Sequence, residues 1–291
     1  MRLVGLMAAA AVLLSLQGGA TAGQPLAVVA AENFYGDVAQ QIGGPAVTVA
    51  SILANPNQDP HEFEASASTA RRVADASLVI YSGADYDPWM AKLLSASRSP
   101  GRKVIVVADL MDRKPGDNPH LWYDPATMPA LAKAIALELE SQDAAHKADY
   151  QGRLKAFLGS MRAIDGKVAE MRRKHAGVPV TATEPVFGYM AAALGLDMRN
   201  ASFQTKVMNG TEPSAREIAA FEQDLRTRAV KVLFCNSQVS DGLTARLKRL
   251  ARESNVPIVE VSETEPPGVR YQAWMMGQLE ATEKALAGPG S

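Results

Sequence analysis

Short apolar runs alternate with amphipathic stretches along most of this chain. Residues 26–30 (LAVVA) form a β-branched run, and residues 34–42 carry helical periodicity that stops at Gly43-Gly44. Residues 47–53, 78–81 and 104–107 read as further strands, and 67–74 and 88–95 as helices, the first capped by Ser66. Asp124 reads as an N-cap with Pro125 at the first helical position, which opens a helix over 126–139.

The pattern changes over residues 144–175, a charged stretch without proline. Leu154, Phe157, Leu158, Met161, Ile164, Val168 and Met171 recur there at spacings of three and four, which predicts one long helix. About 30 residues would span ~45 Å, although Gly152, Gly159 and Gly166 could bend or end it. Alternation then resumes, with strands at 178–183, 230–235 and 258–261 and helices at 185–194, 214–226, 243–254 and 271–286. The expected fold is α/β: two lobes with parallel-type sheets, joined by one long backbone helix. The expected division is a leader at 1–22, an N-terminal lobe at 23–143, the linking helix at 144–175 and a C-terminal lobe at 176–291. Ligands of open parallel sheets sit beyond the carboxyl ends of the strands, so a cleft between the lobes is the expected site.

Composition narrows the class. Arg2 is the only charge before Glu32, residues 3–16 are almost wholly apolar, and Ala20-Thr21-Ala22 offers small residues for cleavage. That reads as an export signal cleaved near Ala22, leading to the periplasm; no other segment reads as a membrane span. No cysteine follows the leader, so a lipid anchor of the bacterial lipoprotein type is not expected, and the lone Cys235 excludes an internal disulfide framework. The formal charge of −1, or −2 once Arg2 leaves with the leader, argues against nucleic acid as a partner.

Two of the four histidines stand among prolines and acidic groups: Asp59-Pro60-His61-Glu62-Phe63-Glu64, and Asp117-Asn118-Pro119-His120-Leu121-Trp122-Tyr123-Asp124-Pro125. His61 and His120 follow strands, as do Glu184, Glu263 and Glu265. Two imidazoles and at least two carboxylates at four strand ends can converge on one divalent cation, which would relieve the repulsion between the carboxylates. Each residue also has a plainer reading. Glu184-Pro185 could simply start a helix, and Glu263 and Glu265 could be solvated loop charges. His146 and His175 fall at the ends of the long helix, Met275-Met276 at core spacing, and Cys235 in an apolar strand. Asn236 and Gln238, just past Cys235, are candidates to support ligands rather than to be ligands. A metal-dependent hydrolase with an open water position is the rival chemistry, but no motif such as His-Glu-x-x-His supplies a general base.

The chain resembles the solute-binding proteins of bacterial zinc and manganese/iron ABC importers. The matching pieces are Pro60-His61-Glu62-Phe63-Glu64, Ala74-Asp75-Ala76-Ser77-Leu78-Val79 before Tyr81-Ser82-Gly83, Asp87-Pro88-Trp89-Met90, residues 118–125, Thr183-Glu184 with Phe187-Gly188-Tyr189, and Glu212-Pro213-Ser214. The resemblance implies two α/β lobes bridged by one helix, with Mn²⁺, Zn²⁺ or Fe²⁺ held between them as transported ligand. It implies a membrane permease of an ABC importer as partner, no catalysis and a monomer. Residue by residue, it implies His61 and His120 as ligands from the first lobe. Glu184 falls where many zinc-type members have histidine and manganese-type members glutamate. Glu263 is preferred to Glu265 as the fourth ligand because it directly follows the last strand. The histidine-rich loop common in zinc-type members has no counterpart in residues 108–118.

Overall fold

The computed structural model describes residues 24–57, 60 and 63–288. The expected leader and His61 lie outside the described residues. In the N-terminal lobe, β1 (Leu26–Glu32), β2 (Val47–Leu53), β3 (Leu78–Tyr81) and β4 (Lys103–Val106) form an all-parallel sheet in the order β2-β1-β3-β4. The C-terminal lobe repeats the arrangement with β5 (Pro179–Ala182), β6 (Asp197–Arg199), β7 (Leu233–Asn236) and β8 (Ile258–Val261), in the order β6-β5-β7-β8. Strands covered on both faces explain the continuous apolar runs. Val28 and Ala30 on β1 face the main core, whereas Val29 and Ala31 pack with Val73, Ala76 and Met90 under the outer helices α2 (Ala67–Asp75) and α3 (Pro88–Ala96).

One core runs through both lobes and along the linking helix α6 (Lys147–His175). Tyr150, Phe157, Met161, Ile164 and Met171 give α6 a buried stripe, and that packing keeps its 29 residues continuous through the three glycines. A Cβ added at Gly152 or Gly166 would meet nothing. Gly166→Ala is therefore expected to raise the unfolding free energy by about 0.5–1 kcal/mol, measured by urea titration. The closing helix α11 (Tyr271–Ala287) lies on α6 and on α1 (Asn33–Gly43). Phe34, Trp122, Tyr123, Phe187, Phe234 and Trp274 form a chain of ring contacts between the lobes, with centroids 4.6–6.0 Å apart.

The structure moves several expected boundaries. Helix α5 (Thr127–Gln142) is preceded by Ala126 as its N-cap. Asp124 instead accepts a hydrogen bond from Ala126 N at 3.0 Å, closing a turn one step ahead of the helix. The segment 185–194 divides into a 3₁₀ turn (Pro185–Phe187) and α7 (Gly188–Ala193). Strand β6 and helix α8 (Ala201–Met208) were not expected. Asp197 and Arg199 flank the single apolar Met198 on this edge strand, so its sequence carries little strand signal.

Candidate metal centre

His120, Glu184 and Glu263 reach the cleft from the carboxyl ends of their sheets. His120 sits before a 3₁₀ turn (Leu121–Tyr123) in the loop that follows β4 and the short α4 (Val107–Leu110). Its ring is fully buried and held by Asn118, whose Oδ1 lies 2.7 Å from His120 Nδ1. The Asn118 side-chain amide is oriented in turn, because its Nδ2 donates to Pro185 O at 2.8 Å, and the Asn118 backbone carbonyl accepts from Tyr189 Oη at 2.7 Å. With Asn118 Oδ1 accepting, Nδ1 carries the imidazole proton and Nε2 presents its lone pair to the cleft. A ligand histidine is usually oriented in this way by a partner on its other nitrogen.

His120 Nε2 lies 3.3 Å from Glu263 Oε2, so an imidazole of one lobe meets a carboxylate of the other. Glu184, in extended backbone two residues past the end of β5, is 5 % exposed, and Glu263 is 0 % exposed. The side-chain amide of Asn236, the last residue of β7, joins them. Its Nδ2 donates to Glu184 Oε2 at 2.7 Å and to Glu263 Oε1 at 2.5 Å. Gln238 Oε1 accepts from Glu263 N at 2.6 Å. Asn236 thus holds both carboxylates, and Gln238 holds the backbone of Glu263. Two buried carboxylates sharing one amide repel each other, and a divalent cation beside them would remove that cost. Among the described residues, no three histidine, cysteine or carboxylate side chains already form a cage that could hold a metal ion. On either side of His61, Pro60 is buried and Phe63 packs on Trp89 at 4.6 Å.

Glu263 and Glu265 part company here. Glu265 is tied to the first lobe through its backbone: its N donates to Asn33 Oδ1 at 2.9 Å and its O accepts from Asn33 Nδ2 at 2.7 Å. Its carboxyl is buried on the Asp37 side, and burial, with the Asp37 charge adding, pushes its pKa up to about 9. It is a neutral acid at pH 7. Sequence reasoning also passed over Tyr86 as a site residue. Its ring stands edge-on to His120 at 5.9 Å, and its hydroxyl donates to Glu263 Oε2 at 2.9 Å. Its place in a turn between β3 and α3 gave no signal beyond the Asp-Tyr-Asp-Pro composition.

The remaining candidates take plainer roles. His146 pairs with Asp143 at 2.6 Å at the start of the linking helix. Met275 is buried in the core. Cys235 is buried, and burial pushes its thiol up to about 12, so it is an inert core group.

Two parallel-sheet lobes on one long helix, with an imidazole of one lobe set against a carboxylate of the other, define a two-lobed binding protein. The family model described as "Zinc-uptake complex component A periplasmic" matches residues 28–285, and the chain belongs to that family. It is a component of an uptake system, not an enzyme, so the hydrolase reading has no support. Curated relatives include the manganese ABC transporter substrate-binding lipoprotein PsaA of Streptococcus anginosus. That protein is 25 % identical over 292 residues, covering 92 % of this chain and 91 % of the relative. The iron ABC transporter substrate-binding lipoprotein MtsA of Streptococcus pyogenes serotype M1 is 23 % identical, covering 90 % and 89 %. Among solved structures, the periplasmic zinc-binding protein TroA from Treponema pallidum shares the fold with a TM-score of 0.75 and 19 % identity, covering 91 % of this chain and 99 % of that one.

Proposed function

We propose that this protein captures a divalent transition metal, Mn²⁺, Zn²⁺ or Fe²⁺, and delivers it to the permease of an ABC importer. The observation that carries the reading is the oriented His120 imidazole, 3.3 Å from a fully buried carboxylate of the opposite lobe. The proposed ligands are His61, His120, Glu184 and Glu263. The set mixes imidazole with hard oxygen donors, which suits Mn²⁺ and Fe²⁺, while the Irving–Williams order gives zinc the higher intrinsic affinity over manganese. Support for the transport role comes from the relatives named for manganese and iron uptake. Release would require the permease to stabilise a state in which the lobes no longer share the ligands.

The same reading has the mature chain beginning near Ala22 and working as a free periplasmic monomer. The curated relatives are named lipoproteins, whereas the only cysteine here is the buried Cys235. Among the described residues no helix is long and apolar enough to cross a membrane. The function is tested by offering the purified mature chain equal Mn²⁺, Fe²⁺ and Zn²⁺, removing excess, and analysing retained metal. One tightly held divalent ion per chain is expected; a chain that retains none would overturn the reading.

A further inference from the structure

The turn that follows β3 is strained and tied down. Gly83, Ala84 and Asp85 have φ values of 74°, 50° and 65°. Three successive residues therefore lie in the left-handed region, and two of them carry a Cβ that disfavours it. A conformation of this kind persists only where its surroundings enforce it. Asp87 does so: its Oδ2 accepts from Ser82 N at 2.6 Å and its Oδ1 from Gly83 N at 2.8 Å. Ser82 is held further by Tyr35 Oη, 3.3 Å from its Oγ, and by Ala108 N, which donates to its carbonyl at 2.8 Å. What the turn delivers is Tyr86, with its ring 5.0 Å from that of Trp122 and its hydroxyl on Glu263.

A second buried acid completes the arrangement. Glu32, the last residue of β1, is 0 % exposed, and neither of its carboxyl oxygens receives a hydrogen bond from an N–H or O–H group. Its carboxyl lies within hydrogen-bonding reach of Asp87. Both Asp87 oxygens already accept backbone N–H groups, so Asp87 is the anion and Glu32 is the partner with a proton to give. Burial, with the Asp87 charge adding, raises the Glu32 pKa well above the usual carboxylate range, and burial raises Asp87 to about 6. The other titratable groups facing the pair are the phenols of Tyr35, Tyr81 and Tyr86, each raised mainly by burial and so neutral.

We propose that Glu32 and Asp87 form a one-proton carboxyl clamp that holds residues 82–86 in their strained turn and so sets Tyr86 against Glu263. Glu32, Asp87 and Tyr86 are then positioning residues of the metal centre, an inference that rests on the metal-capture reading. Tyr86 fixes the carboxylate that is to meet the metal, as outer hydrogen-bond partners of ligands do.

Two measurements test the clamp. The first needs no metal. A group whose pKa is raised on folding stabilises the fold fully below its unfolded value and loses that contribution as pH rises toward the folded value. The metal-free chain should therefore lose stability in urea titrations between pH 5 and pH 8. Glu32→Gln, permanently neutral and still a donor to Asp87, should lose less over the same range. An unchanged slope in Glu32→Gln would overturn the shared proton. The second reads Mn²⁺ affinity by calorimetric titration at pH 7. Tyr86→Phe should weaken binding by roughly 10–100-fold, Glu32→Gln should stay close to the parent, and Glu32→Leu should match Tyr86→Phe. The Glu32→Leu/Tyr86→Phe double variant should be no weaker than either single variant, because both act through one contact. Additive losses, or a Glu32→Gln variant as weak as Glu32→Leu, would overturn the clamp. A parent chain that binds no metal would defeat the capture reading instead, and the pH arm would still decide the clamp.

Discussion

His120→Ala is expected to lower divalent-metal affinity by orders of magnitude and to leave the fold intact. The imidazole is fully buried against Glu263, with its Nδ1 committed to Asn118. Its removal takes one proposed ligand out of a buried site. The expected loss is about 3–5 kcal/mol, or between two and four factors of ten in affinity. The fold should survive because His120 stands in a loop beyond the sheet, while Trp122 and Tyr123 supply the adjacent core. His61→Ala is expected to act in the same way. Calorimetric titration of both variants, with circular dichroism as the control for folding, checks this. Unchanged affinity in either variant would remove that residue from the proposed ligand set.

Glu263→Gln is expected to weaken binding far more than Glu265→Gln. Glutamine keeps the side-chain size and removes the anion. At Glu263 that anion is buried, touches His120 and shares Asn236 with Glu184, so its loss should cost several kcal/mol, of the order of a buried pair losing one partner. At Glu265 the carboxyl has its pKa pushed up to about 9 and carries no charge at pH 7. Its replacement by an amide therefore alters no charge there, and the affinity change should be about 0.5 kcal/mol or less. A larger loss at Glu265 would reverse the assignment. No loss at either would leave Glu184 as the only carboxylate ligand from the second lobe.

The contrast between those two glutamates shows where sequence reasoning runs out. Strands 47–53, 78–81 and 258–261 were legible to the residue: the inner strand 78–81 is an unbroken apolar run, and the edge strands 47–53 and 258–261 are rich in β-branched residues and bounded by turn residues. The linking helix was legible through its periodicity. The side on which Glu265 buries its carboxyl was not, because the chain leaves β8 at Val261 and periodicity says nothing beyond a strand end. Its anchoring to Asn33 is a contact across 232 residues of chain. The same holds for Tyr86 and Glu32. Their roles follow from the left-handed turn at 83–85 and from a carboxyl pair closed between β1 and the start of α3. Strand β6 escaped notice because two of its three residues are charged. Asn236 and Gln238 were found because they follow a strand end that also faces the cleft.

The proposal that the metal sits between the lobes is tested most directly by anomalous diffraction from crystals of the mature chain grown with Mn²⁺. The expected result is one strong peak in the cleft within about 2.0–2.3 Å of donor atoms of His61, His120, Glu184 and Glu263, with Asn118 still on His120 Nδ1. A peak elsewhere, or a cleft peak without either histidine, would contradict the account.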